Sequence, residues 1–148
     1  MIRGTARTPR PVDPDAIWAL LADPRHIPAW APAFAVAITG SEQQGWQAVK
    51  DGRGFALRVA CARGQRTVDY LREIAPGREG GAYLRVLARP GGGSVIVMTL
   101  PFIPGTDRET VTATLRAELA ALARLAAPPE CRYLGNLADV FPAIRRHA

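Results

Sequence analysis

Apolar and polar residues first alternate with the period of a β-strand and then repeat with the period of an α-helix. Residues 2–8 alternate as a strand does, and Asp13-Pro14 then offers an N-cap followed by a favourable first helical residue. The apolar residues within 17–21 have helical spacing, and a second short helix or turn is expected around 26–30. Three prolines prevent the region from becoming one continuous helix, so the pattern predicts a strand followed by two short helices.

Beyond this region the period falls to about two, which predicts an antiparallel meander of short strands. The dipeptide Asp51-Gly52 is a strong hairpin signal, and glycine-rich or proline-containing turns separate the later strands. On the fourth of these strands we expect Val68 and Tyr70 to face the interior. The predicted strands are residues 34–39, 45–50, 55–62, 66–74, 82–89 and 94–100.

The longest predicted helix follows the last strand, from Asp107 to Ala127. Thr106 and Glu109 have the spacing of a capping box, with Thr106 as the N-cap. The sequence therefore predicts an α+β fold, an antiparallel sheet of six to seven strands curved around this helix. One apolar stripe, on which Glu118 does not lie, faces the sheet and consists of Val111, Leu115, Leu119, Leu122 and Leu125.

The chain ends in a segment that this simple fold does not explain. Residues 128–148 begin with two prolines and then carry apolar residues at helical spacing, interrupted by Pro142. We expect a domain over residues 1–127, and a tail whose short amphipathic helix packs back on the domain or on a partner. A homodimer is one possible arrangement.

Composition narrows the class of protein. With 148 residues, 48% hydrophobic and 22% charged, the chain fits one globular domain. Its net charge of +6 comes from scattered arginines, which does not predict nucleic-acid binding. No apolar run is long enough for a membrane span, and no secretory signal is expected. Cys61 and Cys131 lack metal-ligand spacing, so we expect buried, reduced thiols in a cytoplasmic protein without metal or cofactor.

Two segments resemble a known superfamily. The stretch VDPDAIWALLADPRHIPAWAP, residues 12–32, contains Ile17-Trp18, then Leu21-Ala22-Asp23 and then Trp30. It resembles the opening of SRPBCC proteins, which include START-like lipid-transfer domains, plant pollen-allergen proteins and the polyketide cyclase/dehydrase family. Residues 111–125 resemble the C-terminal helix of bacterial members. The resemblance covers roughly residues 1–127 and implies the helix-grip fold.

The resemblance also implies a deep apolar cavity between sheet and helix, in which family members hold lipids, sterols, polyketides or plant hormones. Our first hypothesis is accordingly a protein that binds or transports a small hydrophobic molecule. We expect Trp30 near the cavity entrance, since an amphipathic ring suits a pocket rim. The other expected ligand-binding residues are Phe34, Trp46, Phe55, Leu57, Tyr70, Leu84, Met98, Leu115 and Leu119.

The second hypothesis is a cyclase or dehydratase acting on a polyketide-like substrate, and the third is a protein-interaction module. An enzyme needs at least two ionisable groups converging in the cavity. The candidates are Tyr70, Tyr83, Arg85 and His26. Adjacent strand residues point to opposite faces, so the alternative for Arg85 is a cross-strand charge pair with Asp69 or Glu73 on the outer face. We favour a binding protein over an enzyme.

Overall fold

The structure, a computed structural model, describes residues 1–127. This part of the chain forms a helix-grip fold, as predicted, in which an antiparallel sheet packs on the C-terminal helix. The strands are β1 (Ile2–Arg7), β2 (Ala37–Ser41), β3 (Gly45–Lys50), β4 (Arg53–Ala62), β5 (Thr67–Ala75), β6 (Arg78–Ala88) and β7 (Ser94–Leu100). The helices are α1 (Pro14–Ala22), α2 (Ile27–Trp30) and α3 (Arg108–Ala126), with 3-10 turns at Pro24–His26 and Arg63–Gln65.

The seven strands form one sheet in the order β1-β7-β6-β5-β4-β3-β2, with every neighbouring pair antiparallel. Val68, Tyr70 and Leu84 lie buried on the face toward α3, here called the inner face, which confirms the predicted orientation of β5. Helix α3 packs mainly on β1. Gly4 permits this close approach, because a Cβ there would lie 2.6 Å from Leu115 Cδ2.

Ion pairs link strands on the opposite face of the sheet, here called the outer face. Arg58 on β4 and Glu79 on β6 form an ion pair across the intervening strand β5. Leu71 of β5 lies opposite Arg58 in the register and is only 8% exposed. The predicted cross-strand pair is present as well, since Arg85 Nη1 donates to Asp69 Oδ1 at 2.7 Å. The side chains of Arg58 and Arg85 therefore form ion pairs on the outer face.

The start of α1 confirms the predicted cap. The Asp13 side chain accepts a hydrogen bond from the Asp15 amide at 2.9 Å, and Pro14 occupies the first helical position. Trp18 ties the helix to the sheet, because its Nε1 donates to the Thr67 carbonyl at 3.2 Å. The two short helices thus cover one end of the inner face.

The start of α3 corrects the predicted cap. Asp107 is the N-cap instead of Thr106, because its carboxylate accepts from the Glu109 amide at 3.2 Å and from the Thr110 hydroxyl at 2.5 Å. The Thr106 hydroxyl donates to the Ile103 carbonyl instead. The leucine stripe is confirmed by its three fully buried members, Leu115, Leu119 and Leu122.

The strand predicted over residues 34–39 is wrong in position. Its first half is a turn, because the amides of Phe34 and Ala35 both donate to the Ala31 carbonyl, at 3.0 and 3.2 Å. Pairing with β3 starts only with the Val36 amide. The turn keeps Phe34 out of the sheet, and β2 begins at Ala37.

The hairpin between β5 and β6 is tighter than predicted. The proline and three glycines within residues 76–81 predict a turn over the whole segment, but only Pro76-Gly77 forms the turn, with Gly77 at φ 72°. Strand β6 therefore starts at Arg78, and Gly80 and Gly81 are strand residues.

The prediction of a buried thiol at position 61 is wrong, because Cys61 is free and exposed. It lies close to the end of β4, opposite Val68, where the chain leaves the sheet for the turn Arg63–Gln65. Cys131 and the amphipathic helix expected within residues 128–148 lie outside the described residues. The association suggested for that segment stays a prediction.

Candidate functional site

A cavity of about 210 Å³, here called the inner cavity, lies between the inner face of the sheet, helix α3 and the segment around α2. Its wall is mainly apolar. It is lined by Ile27, Trp30, Ala31, Ala33, Phe34, Tyr70, Ala82, Met98, Leu100, Thr110, Val111, Thr114, Leu115 and Glu118. The sheet supplies the floor, and successive turns of α3 supply one wall, because they bring residues spaced by three and four to the same side.

Two buried aromatic residues line the inner cavity, Tyr70 from β5 and Trp30 from α2, so Trp30 does not lie at an exposed rim as expected. Trp30 and Tyr70 are each 2% exposed, and their ring centroids lie 6.2 Å apart. Within residues 1–127 the Trp30 Nε1–H has no hydrogen-bond partner. A buried donor of this kind is costly to leave unpaired, so a ligand oxygen that accepts from it would be favoured.

The Tyr70 hydroxyl is already engaged. It donates to the Leu21 carbonyl at 2.6 Å, and burial raises the pKa of Tyr70 well above its ordinary value. Leu21 lies in the last turn of α1, where carbonyls lack partners within the helix. The Tyr70 hydroxyl therefore stays protonated and donates to a carbonyl at the C-terminal end of α1. Because it is already hydrogen-bonded and hard to ionise, it is poorly suited to act as a catalytic base.

Glu118 is the ionisable group on the helix side of the cavity. It lies seven residues after Val111 and three after Leu115, so it flanks the apolar stripe. Burial raises the pKa of this carboxyl from 4.5 to about 7. At neutral pH the group exchanges protons readily, and it donates a hydrogen bond when protonated and accepts when ionised.

This shifted pKa predicts a specific dependence of stability on pH. The unfolded chain releases the Glu118 proton near pH 4.5 and the folded chain near pH 7, so this group's contribution to the free energy of unfolding falls as pH rises between those values. The full pKa shift of Glu118 corresponds to about 3 kcal/mol in the free energy of unfolding. Because the side chain is partly exposed, we expect an effect of about 1.5 kcal/mol. Glu118→Gln should therefore be more stable than wild type above pH 7 and lose the advantage below about pH 4.5.

Urea unfolding of both proteins across this pH range measures the difference. Glu42→Gln is the matched control, because Glu42 is exposed in the turn between β2 and β3. A pH-independent difference between E118Q and wild type would show that the Glu118 carboxyl is not desolvated.

A second cavity of about 180 Å³, here called the outer cavity, adjoins the first. The two share four wall residues: Phe34, Ala82, Leu100 and Val111. The outer cavity is bounded by the segment between β7 and α3, where Phe102 is 38% and Ile103 52% exposed. Arg72 of β5 lies in its wall, with the guanidinium carbon 4.9 Å from the centre of the Phe55 ring.

The structure brings half of the expected ligand-binding residues to the inner cavity: Trp30, Phe34, Tyr70, Met98 and Leu115. Phe55 lies beside Arg72 at a separate surface opening. Trp46 and Leu57 line neither cavity and border a separate depression that Arg58 and Glu79 also line. Leu84 and Leu119 are fully buried in the core and line neither cavity.

Of the expected catalytic residues, Tyr70 alone lines the inner cavity. Tyr83 pairs in register with Asp69 and shares the outer face with Arg85, so neither faces the ligand space. His26 is near Asp23, with Nε2 3.8 Å from the carboxylate, in the exposed 3-10 turn. The structure thus does not bring these four residues together.

The sequence analysis did not predict three residues of the cavity wall, Thr110, Thr114 and Glu118, because none of them belongs to the apolar stripe of α3. The spacing from Val111 was the available signal, since residues seven apart return to one helix face. Within residues 1–127 there is no cluster of three or more potential metal ligands. No helix in this part of the chain has the length and apolar character to cross a membrane.

The sheet, the long helix α3 and the mainly apolar cavity between them define a helix-grip domain. A family model described as polyketide cyclase / dehydrase and lipid transport matches residues 1–134. The chain belongs to this family, which confirms the resemblance noted in the sequence. Among curated proteins none matches the chain.

Several solved structures share the fold. The di-domain ARO/CYC StfQ from the steffimycin biosynthetic pathway is 14% identical, with a TM-score of 0.61 over 85% of this chain and 45% of its own. The ZhuI aromatase/cyclase from Streptomyces sp. R1128 is 17% identical, with a TM-score of 0.57 over 84% and 92%. The Aha1 dimer from Colwellia psychrerythraea is 16% identical, with a TM-score of 0.58 over 83% and 94%.

These identities establish the fold and nothing finer. The chain spans less than half the length of StfQ and of DynU16, a protein of the dynemicin locus, at 45% of each.

Proposed function

We propose that this protein binds or carries a small, mainly apolar molecule that bears at least one hydrogen-bonding oxygen. The observation that supports this function is the inner cavity, whose mainly apolar wall includes Trp30, a residue whose buried indole N–H has no partner in residues 1–127. Apolar walls with a few placed polar groups are typical of small-molecule sites. A ligand oxygen at Trp30 would satisfy the buried donor and fix the ligand's orientation.

Thermal unfolding with a panel of lipids and aromatic polyketide-like compounds tests the proposal. A ligand at one hundred times its Kd raises the free energy of unfolding by about 2.7 kcal/mol, which is several degrees in Tm. Thr114→Phe places a ring into the inner cavity from α3 and should abolish this shift without lowering Tm in the absence of ligand. Ala120→Phe, at an exposed position of the same helix, should keep the shift.

The absence of any shift over the whole panel would overturn the proposal. A shift that Thr114→Phe leaves unchanged would place the ligand elsewhere on the protein.

The second candidate function is a cyclase or dehydratase, and Glu118 is the observation that favours it. A carboxyl with a pKa of about 7 suits proton transfer near neutral pH. Tyr70 cannot readily supply the second ionisable group, because its hydroxyl is bound to Leu21. To distinguish a carrier from an enzyme, the protein is incubated with poly-β-keto thioester analogues, and the recovered compounds are analysed by mass spectrometry. Unchanged compounds indicate a carrier, whereas loss of water that depends on Glu118 indicates an enzyme.

A further inference from the structure

The two cavities are each small for a ligand of ordinary size. Their volumes are about 210 and 180 Å³, whereas small-molecule sites commonly occupy at least about 300 Å³. They adjoin along shared wall residues that include Phe34 and Val111. A molecule larger than a fragment therefore has to extend through both cavities.

The two cavities carry opposite ionisable groups. Glu118 is the only charged residue among the described residues that line the inner cavity, and Arg72 is the only one among those of the outer cavity. A carboxylate in the inner cavity would face Glu118 and be disfavoured whenever Glu118 is ionised. In the outer cavity it would meet a guanidinium, which recognises carboxylates with two parallel hydrogen bonds.

Arg72 is available for this role. Within residues 1–127 it forms no ion pair, unlike Arg58, Arg66 and Arg85, each of which pairs with a carboxylate. Its guanidinium lies over the Phe55 ring in a cation–π contact. Phe55 packs edge-on against Phe34, with ring centroids 5.8 Å apart, and Phe34 lines both cavities.

We propose that the inner and outer cavities together hold one elongated apolar acid in a fixed direction. Its carboxylate lies at Arg72 in the outer cavity, and a neutral hydroxyl or carbonyl lies between Trp30 and Glu118 in the inner cavity. The ligand class is therefore an apolar chain or fused-ring body with an acid at one end and an uncharged oxygen at the other. This inference rests on the proposed function, since it concerns the same cavity.

Four ten-carbon probes, each measured by calorimetric titration, test the direction of binding. They are ω-hydroxydecanoic acid, decanoic acid, decanol and decanedioic acid. At pH about 8 we expect the hydroxy acid to bind most tightly and the diacid at least about fivefold more weakly, because its second carboxylate meets ionised Glu118. Lowering the pH below Glu118's pKa should narrow this gap.

Two variants test the two ends of the site separately, Arg72 in the outer cavity and Glu118 in the inner cavity. Arg72→Gln should weaken both monoacids at least about fivefold and change decanol binding less than about twofold. Glu118→Gln should remove most of the penalty on the diacid. Arg116→Gln, at an exposed position on α3, is the matched control and should change none of the four affinities. Arg72→Lys keeps the charge and should retain part of the preference for acids, which guards against a folding defect in Arg72→Gln.

The outcomes distinguish the two proposals. If no probe and no member of the apolar panel binds the wild-type protein, the proposed function itself fails. If the probes bind but the diacid equals the hydroxy acid, or Arg72→Gln leaves acid binding unchanged, the fixed direction is overturned while the binding function stands.

Discussion

Replacing Gly81 with alanine should lower the free energy of unfolding by about 3 kcal/mol, at the upper end of the effect of overpacking. A Cβ built at Gly81 lies 1.7 Å from the carbonyl oxygen of Tyr70 on the paired strand β5. The obstacle is backbone within a sheet, so it cannot turn away as a side-chain end would. Strands β5 and β6 must separate locally, which also displaces the cavity floor at Tyr70 and Ala82.

Urea unfolding at equilibrium measures this loss. Gly54→Ala is the matched control, because it is also a glycine in a strand and its Cβ would meet nothing nearer than the Ala48 carbonyl at 3.8 Å. The control should stay within about 0.5 kcal/mol of wild type. A G81A protein as stable as G54A would mean that the two strands do not approach this closely.

Replacing Tyr70 with phenylalanine should lower the free energy of unfolding by about 2 kcal/mol, because the Leu21 carbonyl at the end of α1 loses its buried partner. The phenyl ring remains, so packing beside Trp30 is preserved. The loss therefore reports the hydrogen bond between β5 and α1. Thermal and urea unfolding measure it, and binding titrations show whether the freed end of α1 alters the inner cavity.

Tyr83→Phe removes the same hydroxyl from the outer face of the adjacent strand and should change stability by less than about 0.5 kcal/mol. Equal stabilities for the two variants would contradict a stabilising role for the Tyr70 hydroxyl.

Periodicity predicted the faces of the elements well and their positions less well. The alternation in β5 placed Tyr70 inward, and the stripe on α3 placed Leu115 against the sheet. Trp46 and Leu57 were also expected to line the cavity, yet neither lies in the wall of the inner cavity. Alternation assigns a residue to one face of the sheet. It does not show which part of that face α3 covers, and so it does not show which residues line the cavity.

The errors have local physical causes. Phe34 has strand-like neighbours, but the Ala31 carbonyl binds its amide and makes a turn, which leaves the ring free to enter both cavities. Glu118 was predicted to lie off the apolar stripe, although its spacing from Val111 and Leu115 places it on the flank of that stripe, where it lines the inner cavity. Gly81 reads as one of several turn glycines, since a steric requirement across a sheet has no signature in a single sequence.

The pairing of β1 with β7 affects how the chain reaches this structure. Ile2 lies opposite Leu100, and Gly4 receives Leu115 of α3, so the first residues contact some of the last described ones. Such contacts give a high contact order and slow folding, because a long loop must close before they form. During synthesis the N-terminal strand has to wait for almost the whole domain to emerge from the ribosome. Until then, β1 lacks both the strand β7 that pairs with it and the helix α3 that covers its inner side.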